Sequence, residues 1–306
     1  MVSIKRGINY LIHNRAQFCD SIVKNYLNFL PDKFYLSLRY RCIMGYWIDW
    51  GNPKSFSEKL QWLKIYNRKI EYTTMVDKYA VKRYVAERIG EEYIIPTLGV
   101  WNQLEDIDWN SLPNQFVLKT THGGGGGGVV ICKDKISFDK QLAISILKES
   151  LASDIYSNLR EWPYKGVPKR IIAEKFMTVD SNDRSFDLKD YKFFCFNGKV
   201  KFFKVDFGRF VNHHANYYSP SGELLPFGEV GLEPVPDYPI VLPNNLDKMI
   251  KLAEELSYGE PFIRVDFYNV NGQIYFGELT FYPASGMLPW TPASADYEIG
   301  QMLDLN

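Results

Sequence analysis

The segment 262-FIRVDFYNVNGQIYFGELTFYPASG-286 constrains the fold of this chain more than any other. Asn271-Gly272 separates two apolar runs, and that pair between alternating hydrophobic residues specifies a β-hairpin, because both residues tolerate positive φ. Side chains alternate along a strand, so Arg264 and Asp266 share one face of the first strand, and Glu278 and Thr280 one face of the second. An odd loop, Val270-Asn271-Gly272 with Gly272 left-handed, would bring both sets to the same face of the sheet. Two carboxylates, a hydroxyl and a guanidinium then meet among Phe262, Val265, Phe267, Tyr275 and Phe276, where uncompensated charge is costly to bury. A pair of Mg²⁺ ions shared between these carboxylates and the phosphates of ATP removes the cost, since hard cations take oxygen ligands. Arg264 would face the negative charge developing on a transferred phosphoryl group. A solvated outer face carrying an Arg–Asp pair is the other reading of the same residues.

The second feature is 116-FVLKTTHGGGGGGVVICKD-134, in which an apolar strand delivers Lys119, glycines fill 123 to 128, and another apolar strand begins at once. Strands joined so closely form a hairpin with the glycines as a flap at its tip. Without Cβ atoms, Gly123, Gly124, Gly125, Gly126, Gly127 and Gly128 let backbone N–H groups approach phosphate oxygens, and Lys119 supplies a compact cation for an α- or β-phosphate. A flexible linker is the alternative, although linkers seldom sit between two short strands. A Walker loop is excluded because Val129, not Lys-Ser or Lys-Thr, follows the run, and a GxGxxG match carries no weight inside continuous glycine.

Helical signals precede these strands. The spacing predicts helices over 16–30, closed by Pro31, over 55–68, with Ser55 and Glu58 as a capping box and Leu60, Leu63 and Tyr66 inward, and over 77–90. In the last of these, Val81, Tyr84, Val85 and Ile89 share a side and Gly90 ends the helix. From 116 onward strands are expected at 116–119, 129–132, 170–176, 191–196, 199–205, 262–268 and 274–279, with helices near 138–151 and 245–257. This pattern gives an α+β body without repeats. Lys plus Arg equals Asp plus Glu at 36 each, which argues against nucleic acid as a partner and makes any electropositive site local. Cys19, Cys42, Cys132 and Cys195 lack zinc or redox spacing and read as reduced thiols. No apolar run is long enough to span a bilayer, and the expected location is the cytoplasm, with peripheral association at the inner face of the membrane as a further option.

The order of parts resembles the ATP-grasp superfamily: 77-DK-78 opening a helix, 116-FVLK-119 with its glycine flap, 172-IAEKF-176, 190-DYK-192, 264-RVD-266 and 278-ELT-280. More closely, 52-NPKSFSEKLQWLK-64, 116-FVLKTTHGGGG-126 and 276-FGELTFYPASG-286 look like the TupA-like branch, associated with teichuronopeptide and other cell-surface polysaccharide synthesis. The resemblance runs from about residue 45 to 290. It implies an ATP-grasp fold, two α+β subdomains gripping ATP, with a mainly helical N-terminal region over 1–70 and a body over 71–306. The body would divide into a glycine-flap subdomain at about 110–173 and a metal and substrate subdomain at about 174–300.

Carried over by position, the resemblance implies Lys78 and Lys119 on the ATP phosphates under the flap of Gly123 to Gly128. Glu174, with the backbone of Lys175 and Phe176, would lie at the hinge that grips adenine, and Asp190 would bond the ribose hydroxyls. Asp266 and Glu278 would bind Mg²⁺, with Thr280 where many relatives carry Asn. Lys192, Arg209, His213 and His214 are further candidates for the phosphates or acceptor, and Ser285-Gly286 for N–H donors to a substrate carboxylate.

The implied activity is an ATP-dependent carboxylate–amine ligase, forming an amide through an acyl phosphate, with Arg264 and Lys119 as catalytic groups. Its partners would be an amino acid or amine and a uronic-acid-containing glycan or a nucleotide- or lipid-linked sugar. A glycosyltransferase of the same pathway is one alternative, with 180-DSND-183 a poor substitute for a DxD pair. A carbohydrate-binding protein using Trp47, Trp50, Trp62, Trp101, Trp109, Trp162 and Trp290 is the other.

Overall fold

Side-chain caps start three of the helices, from Ser55, Asp139 and Asp154. In the computed structural model, which describes residues 15–124, 127–177, 188–208, 213–232, 234–238 and 240–305, residues 15–26 are helical (α1). They are followed by α2 (Asp32–Met44), α3 (Phe56–Tyr66), α4 (Tyr72–Val76) and α5 (Ala80–Ile89). Ser55 Oγ accepts from the Glu58 N–H at 3.2 Å while Glu58 Oε2 accepts from the Ser55 N–H at 3.1 Å, so the expected capping box starts α3. Asp77 Oδ1 accepts from the N–H groups of Tyr79 and Ala80 at the start of α5, and Gly90, at φ +117°, follows its end. Val81 and Val85 are buried, with Tyr84 and Ile89 packed beside them.

Two expectations about the N-terminal helices are corrected. The first helix stops at 26, and Pro31 is the N-cap residue of α2, not a terminator, since its fixed φ of −54° and missing N–H cost nothing there. The periodicity of α2 is hidden because Arg39 joins Tyr35, Leu36 and Tyr40 among its buried positions, its Nε donating to Asp20 Oδ1 at 2.6 Å. In α3, Leu60 and Leu63 are buried as expected, but Tyr66 is 50% exposed and packs its ring 4.7 Å from that of Trp62.

Strands β1 (Thr97–Trp101), β2 (Phe116–Thr120), β3 (Val129–Cys132) and β4 (Ile171–Lys175) form an antiparallel sheet in the order β1-β4-β2-β3. β2 and β3 pair directly, with Lys119 opposite Val129, so the glycine run is the tip of a hairpin. Phe116, Leu118, Val130, Ile171 and Ala173 pack against Ala143 and Leu147 of α6 (Lys140–Ala152), which Asp139 caps through the Leu142 N–H. α7 (Ile155–Leu159) leads back to β4.

The larger sheet contains β5 (Asp190–Phe196), β6 (Lys199–Phe207), β7 (His214–Tyr218), β9 (Phe262–Val270) and β10 (Gln273–Thr280), in the order β10-β9-β5-β6-β7. The short strands β8 (Gly228–Glu229) and β11 (Trp290–Thr291) pair beside it. One face packs on α8 (Leu246–Ser257), where Cys195 Sγ lies 3.8 Å from the Ala253 carbonyl oxygen and Met249, Ala253 and Leu256 join Phe193, Val265 and Phe267. Burying each such phenylalanine contributes roughly 1.5–3 kcal/mol. The opposite face is apolar only toward one end, where Phe56 of α3 meets the rings of Phe196, Phe262 and Trp290, near α9 (Ala295–Gly300). Phe56, Leu60 and Leu63 thus share one buried cluster with the five-stranded sheet.

The hairpin of β9 and β10 reaches the expected arrangement by a different route. Its turn holds only Asn271 and Gly272, at φ +52° and +84°, and Val270 pairs directly with Gln273. An even turn of this kind would set Glu278 opposite Val265, on the wrong face. A β-bulge between Phe276 and Glu278 absorbs one residue, so that Glu278 lies opposite Asp266 and Thr280 opposite Arg264. Gly277 is the residue absorbed, and a Cβ there would stand 3.1 Å from the Asp266 carbonyl oxygen and 3.3 Å from the Tyr268 ring. Gly277→Val is expected to lower unfolding stability by about 1–3 kcal/mol. Urea denaturation monitored by tryptophan fluorescence measures this, and a wild-type midpoint would rule out the close-approach role of this glycine.

Candidate active site

Register across the larger sheet aligns charged residues in rows. Glu278, Asp266, Lys192, Lys204 and Tyr217 lie opposite one another in sequence across the five strands. A neighbouring row holds Thr280, Arg264, Phe194 and Phe202, and another holds Tyr268, Asp190 and Asp206. All these side chains point to the same face, because residues two apart in a strand do so. Three adjacent strands repeat one device, a cation two residues from an acid: Asp190 and Lys192, Lys204 and Asp206, Arg264 and Asp266.

Arg264 organises the hairpin end of this face. Its Nε donates to Asp266 Oδ1 at 2.7 Å, and its Nη2 to Asp266 Oδ2 at 2.7 Å, Glu278 Oε1 at 2.9 Å and Thr280 Oγ1 at 3.0 Å. Lys192 Nζ donates to Asp266 Oδ2 at 3.0 Å and to Asp190, and stands 3.6 Å from Asp206. Burial would lower the Lys192 pKa, but Asp190 and Asp266 outweigh it and raise the value above that of an ordinary lysine. For Glu278 burial acts upward, yet Arg264, Lys78 and Lys192 together hold its carboxyl down at about 2.

A second group of lysines comes from the smaller sheet, from α5 and from the segment that enters it. Lys119 Nζ lies 2.5 Å from Glu174 Oε2, and Lys82 Nζ lies 2.6 Å from Glu174 Oε1. Burial pushes the Glu174 carboxyl up, and the two lysines more than offset it. Lys78 donates to the Gly123 carbonyl at the base of the flap, while its backbone N–H donates to Thr121 O at 3.0 Å. Burial lowers the Lys78 pKa, Glu278 opposes this and Lys119 adds to it, so this lysine senses both the hairpin carboxylate and the flap strand. Both ends of the flap sit tightly: a Cβ on Gly128 would fall 2.1 Å from Ser150 Oγ, and one on Gly123 would fall 2.7 Å from Thr120 Oγ1. Gly125, Gly126, Arg209 and the segment 180–183 lie outside the described residues.

The oxygen donors fit a hard cation. Nη2 of Arg264 already places positive charge where Asp266, Glu278 and Thr280 converge, and all three donors are oxygens. Among the described residues no group of three or more His, Cys, Asp and Glu side chains gathers as a metal cage, so two carboxylates would share the ion with ATP phosphates or water. Thr280 also donates to Glu278 Oε1 at 3.2 Å, which ties its hydroxyl to the carboxylate.

Other expected residues are dispersed. Glu174 and Lys175 end β4, with Phe176 just beyond. Asp190 is buried against Lys192. His213 Nε2 bonds Asp206 Oδ1 at 3.0 Å, and His214 stacks on Phe207. Ser285 and Gly286 continue the left-handed run of Ala284 (φ +46°), at φ +57° and +63°. Their carbonyl oxygens accept from Gln61 Nε2 of α3, at 3.0 and 2.8 Å. The tryptophans form no common surface, since Trp101 and Trp109 pack on the smaller sheet, Trp290 is buried and Trp47 is 58% exposed. Sequence reasoning missed Lys82, Lys204, Asp206 and Glu229. The repeated spacing in 190-DYK-192, 204-KVD-206 and 264-RVD-266 was the available signal for Lys204 and Asp206.

The model of the TupA-like ATP-grasp family matches residues 58–304. No curated protein matches the chain. Among solved structures the chain is similar to D-alanine–D-alanine ligase from Helicobacter pylori, at 18% identity and TM-score 0.42, covering 82% of this chain and 70% of that one. It is also similar to D-alanine–D-alanine ligase from Bacillus anthracis complexed with ATP, at 14% identity and TM-score 0.40, covering 75% of this chain and 63% of that one. A third is the ATP-grasp ligase PsnB complexed with a precursor variant, Mg and ADP, at 10% identity and TM-score 0.40, covering 89% of this chain and 66% of that one. The assignment rests on the family match: the chain belongs to the TupA-like ATP-grasp family.

Proposed function

We propose that the protein uses Mg-ATP to activate a carboxylate as an acyl phosphate and joins it to an amine, coupling an amino acid to a uronic-acid-containing glycan or its nucleotide- or lipid-linked precursor in cell-surface polysaccharide synthesis. The observation that carries this reading is the convergence of Asp266, Glu278 and Thr280 on one nitrogen of Arg264, with Lys78 electrostatically linked to Glu278. The polysaccharide setting and the glycan are part of the proposal, supported by the resemblance of 52–64, 116–126 and 276–286 to the TupA-like branch.

Lys78 and Lys119 would hold the phosphates, with Glu174 paired to Lys119, and Asp266, Glu278 and Thr280 would hold Mg²⁺. When bound, that ion neutralises phosphate charge and polarises the transferred group. Lys78 donates to the Gly123 carbonyl, and a phosphate oxygen would offer it a stronger, charge-assisted bond. Arg264, fixed in orientation by two bonds to Asp266, presents a preorganised cation to the charge that builds up as the substrate carboxylate attacks. Glu174, Lys175 and Phe176 lie where β4 ends and the adenine would be gripped, and Asp190 takes the ribose side. The chain acts in the cytoplasm, where ATP is supplied; no helix among the described residues is long and apolar enough to cross a membrane.

Glu278→Gln keeps an acceptor for Arg264 but removes the charge, and is expected to cut amino-acid- and acceptor-dependent ADP formation by at least about 100-fold, with circular dichroism unchanged. Unaltered turnover would remove Glu278 from the metal site. Lys119→Met should weaken binding of a fluorescent ATP analogue by about tenfold or more. Equal affinity in that titration would refute the phosphate role of Lys119.

A further inference from the structure

A cavity of about 150 Å³ lies beside the hairpin end of the charged face. Lys204, Glu229 and Arg264 line one part of it, and Phe56, Leu288 and Trp290 another. Its polar groups are unevenly engaged. The bonds that Arg264 makes to described residues all leave from Nε and Nη2, so Nη1 has no partner among them. Glu229 receives Lys204 Nζ at 2.6 Å and the Tyr217 hydroxyl, both on Oε1, so Oε2 likewise has no partner among the described residues. The guanidinium and the carboxylate that carry these two atoms line the same small space, together with Phe56 of α3, Leu288 and Trp290.

From this we infer that the cavity seats a small free α-amino acid in its zwitterionic form, the carboxylate toward Arg264 and Lys204 and the ammonium toward Glu229. The inference rests on the ligase reading for its purpose and deepens it by saying which substrate enters this space. Size and charge select the ligand. A space of this volume holds on the order of six heavy atoms, enough for an amino acid with a short side chain and too small for a sugar ring with its substituents. A uronate brings only negative charge and offers Glu229 Oε2 no cationic donor, whereas a zwitterion supplies a carboxylate for Arg264 and Lys204 and an ammonium for Glu229. Phe56, Leu288 and Trp290 leave room for an apolar or minimal side chain and offer a charged one nothing. The glycan is thereby assigned to the open side of the site.

Titration calorimetry on the full chain, with and without Mg²⁺ and a non-hydrolysable ATP analogue, tests this with glycine, L-alanine, D-alanine, L-serine and glucuronate as probes. At least one amino acid is expected to bind, and its N-acetyl and methyl ester derivatives to bind at least about tenfold more weakly, since each loses one charge-assisted contact. Glucuronate should give no competing heat. Glu229→Gln should weaken the amino acid by about tenfold while leaving nucleotide affinity unchanged, and the nucleotide titration reports that the variant is folded. The inference is overturned if a chain that binds the nucleotide analogue binds none of the amino acids, if the N-acetyl derivative binds as tightly as its parent, or if Glu229→Gln leaves amino-acid affinity intact. Should the variant not fold, the derivative series on the wild-type chain decides. Amino-acid binding with the expected derivative pattern but without nucleotide binding supports this assignment and defeats the ligase reading alone.

Discussion

The bonds from Arg264 to Asp266, Glu278 and Thr280 are the interaction on which the charged face of the larger sheet depends. Asp190, Asp206, Asp266 and Glu278 crowd a sheet whose reverse side is a phenylalanine-rich core, and carboxylates so close repel one another in a medium that screens poorly. Arg264 and Lys192 distribute compensating charge among them, each touching more than one acid. Removing either cation would leave buried like charges facing each other, a far greater loss than that of an exposed ion pair. The same compensation suits a phosphoryl-transfer site, because cations already fixed in place need not reorganise when negative charge arrives.

Glycine enters twice, for different reasons. At 123 and 128 the flap ends lie so near Thr120 and Ser150 that a Cβ would collide with them, which fixes where the flap leaves its hairpin. At 277 the glycine permits a bulge, and the bulge changes the parity of β10. The chemistry of the site therefore depends on a residue that carries no functional group. The left-handed run from Ala284 to Gly286 adds a third backbone constraint, held from α3 by Gln61 and Lys64. Through those bonds α3 reaches the segment that follows β10.

Much of this was legible beforehand, where the signal is local. The capping box of α3, the strands on either side of the glycine run, and the paired strands around Asn271-Gly272 all follow from neighbouring residues whose backbone preferences and side-chain alternation act over a few positions. The failures also have local causes. Pro31 carries the same signal before a helix as after one, and α2 hides its buried stripe by placing Arg39 in it. Strand β1 supplies no fully buried residue and gives little alternation to read.

The sequence by itself determined the α+β class, the flap, the residues of the hairpin and the membership that their order implies, because each is written in consecutive residues. Only the tertiary structure decided which charges meet. The odd loop expected between β9 and β10 is an even turn corrected by a bulge, and a one-residue change in register is invisible to a pattern that repeats every two residues. Lys204 and Glu229, which stand 25 positions apart, become partners only when β8 is laid beside the edge of the sheet. Side-chain identity states what a residue can bond; the long-range register of strands states with whom, and that is fixed by packing energies summed over the whole sheet.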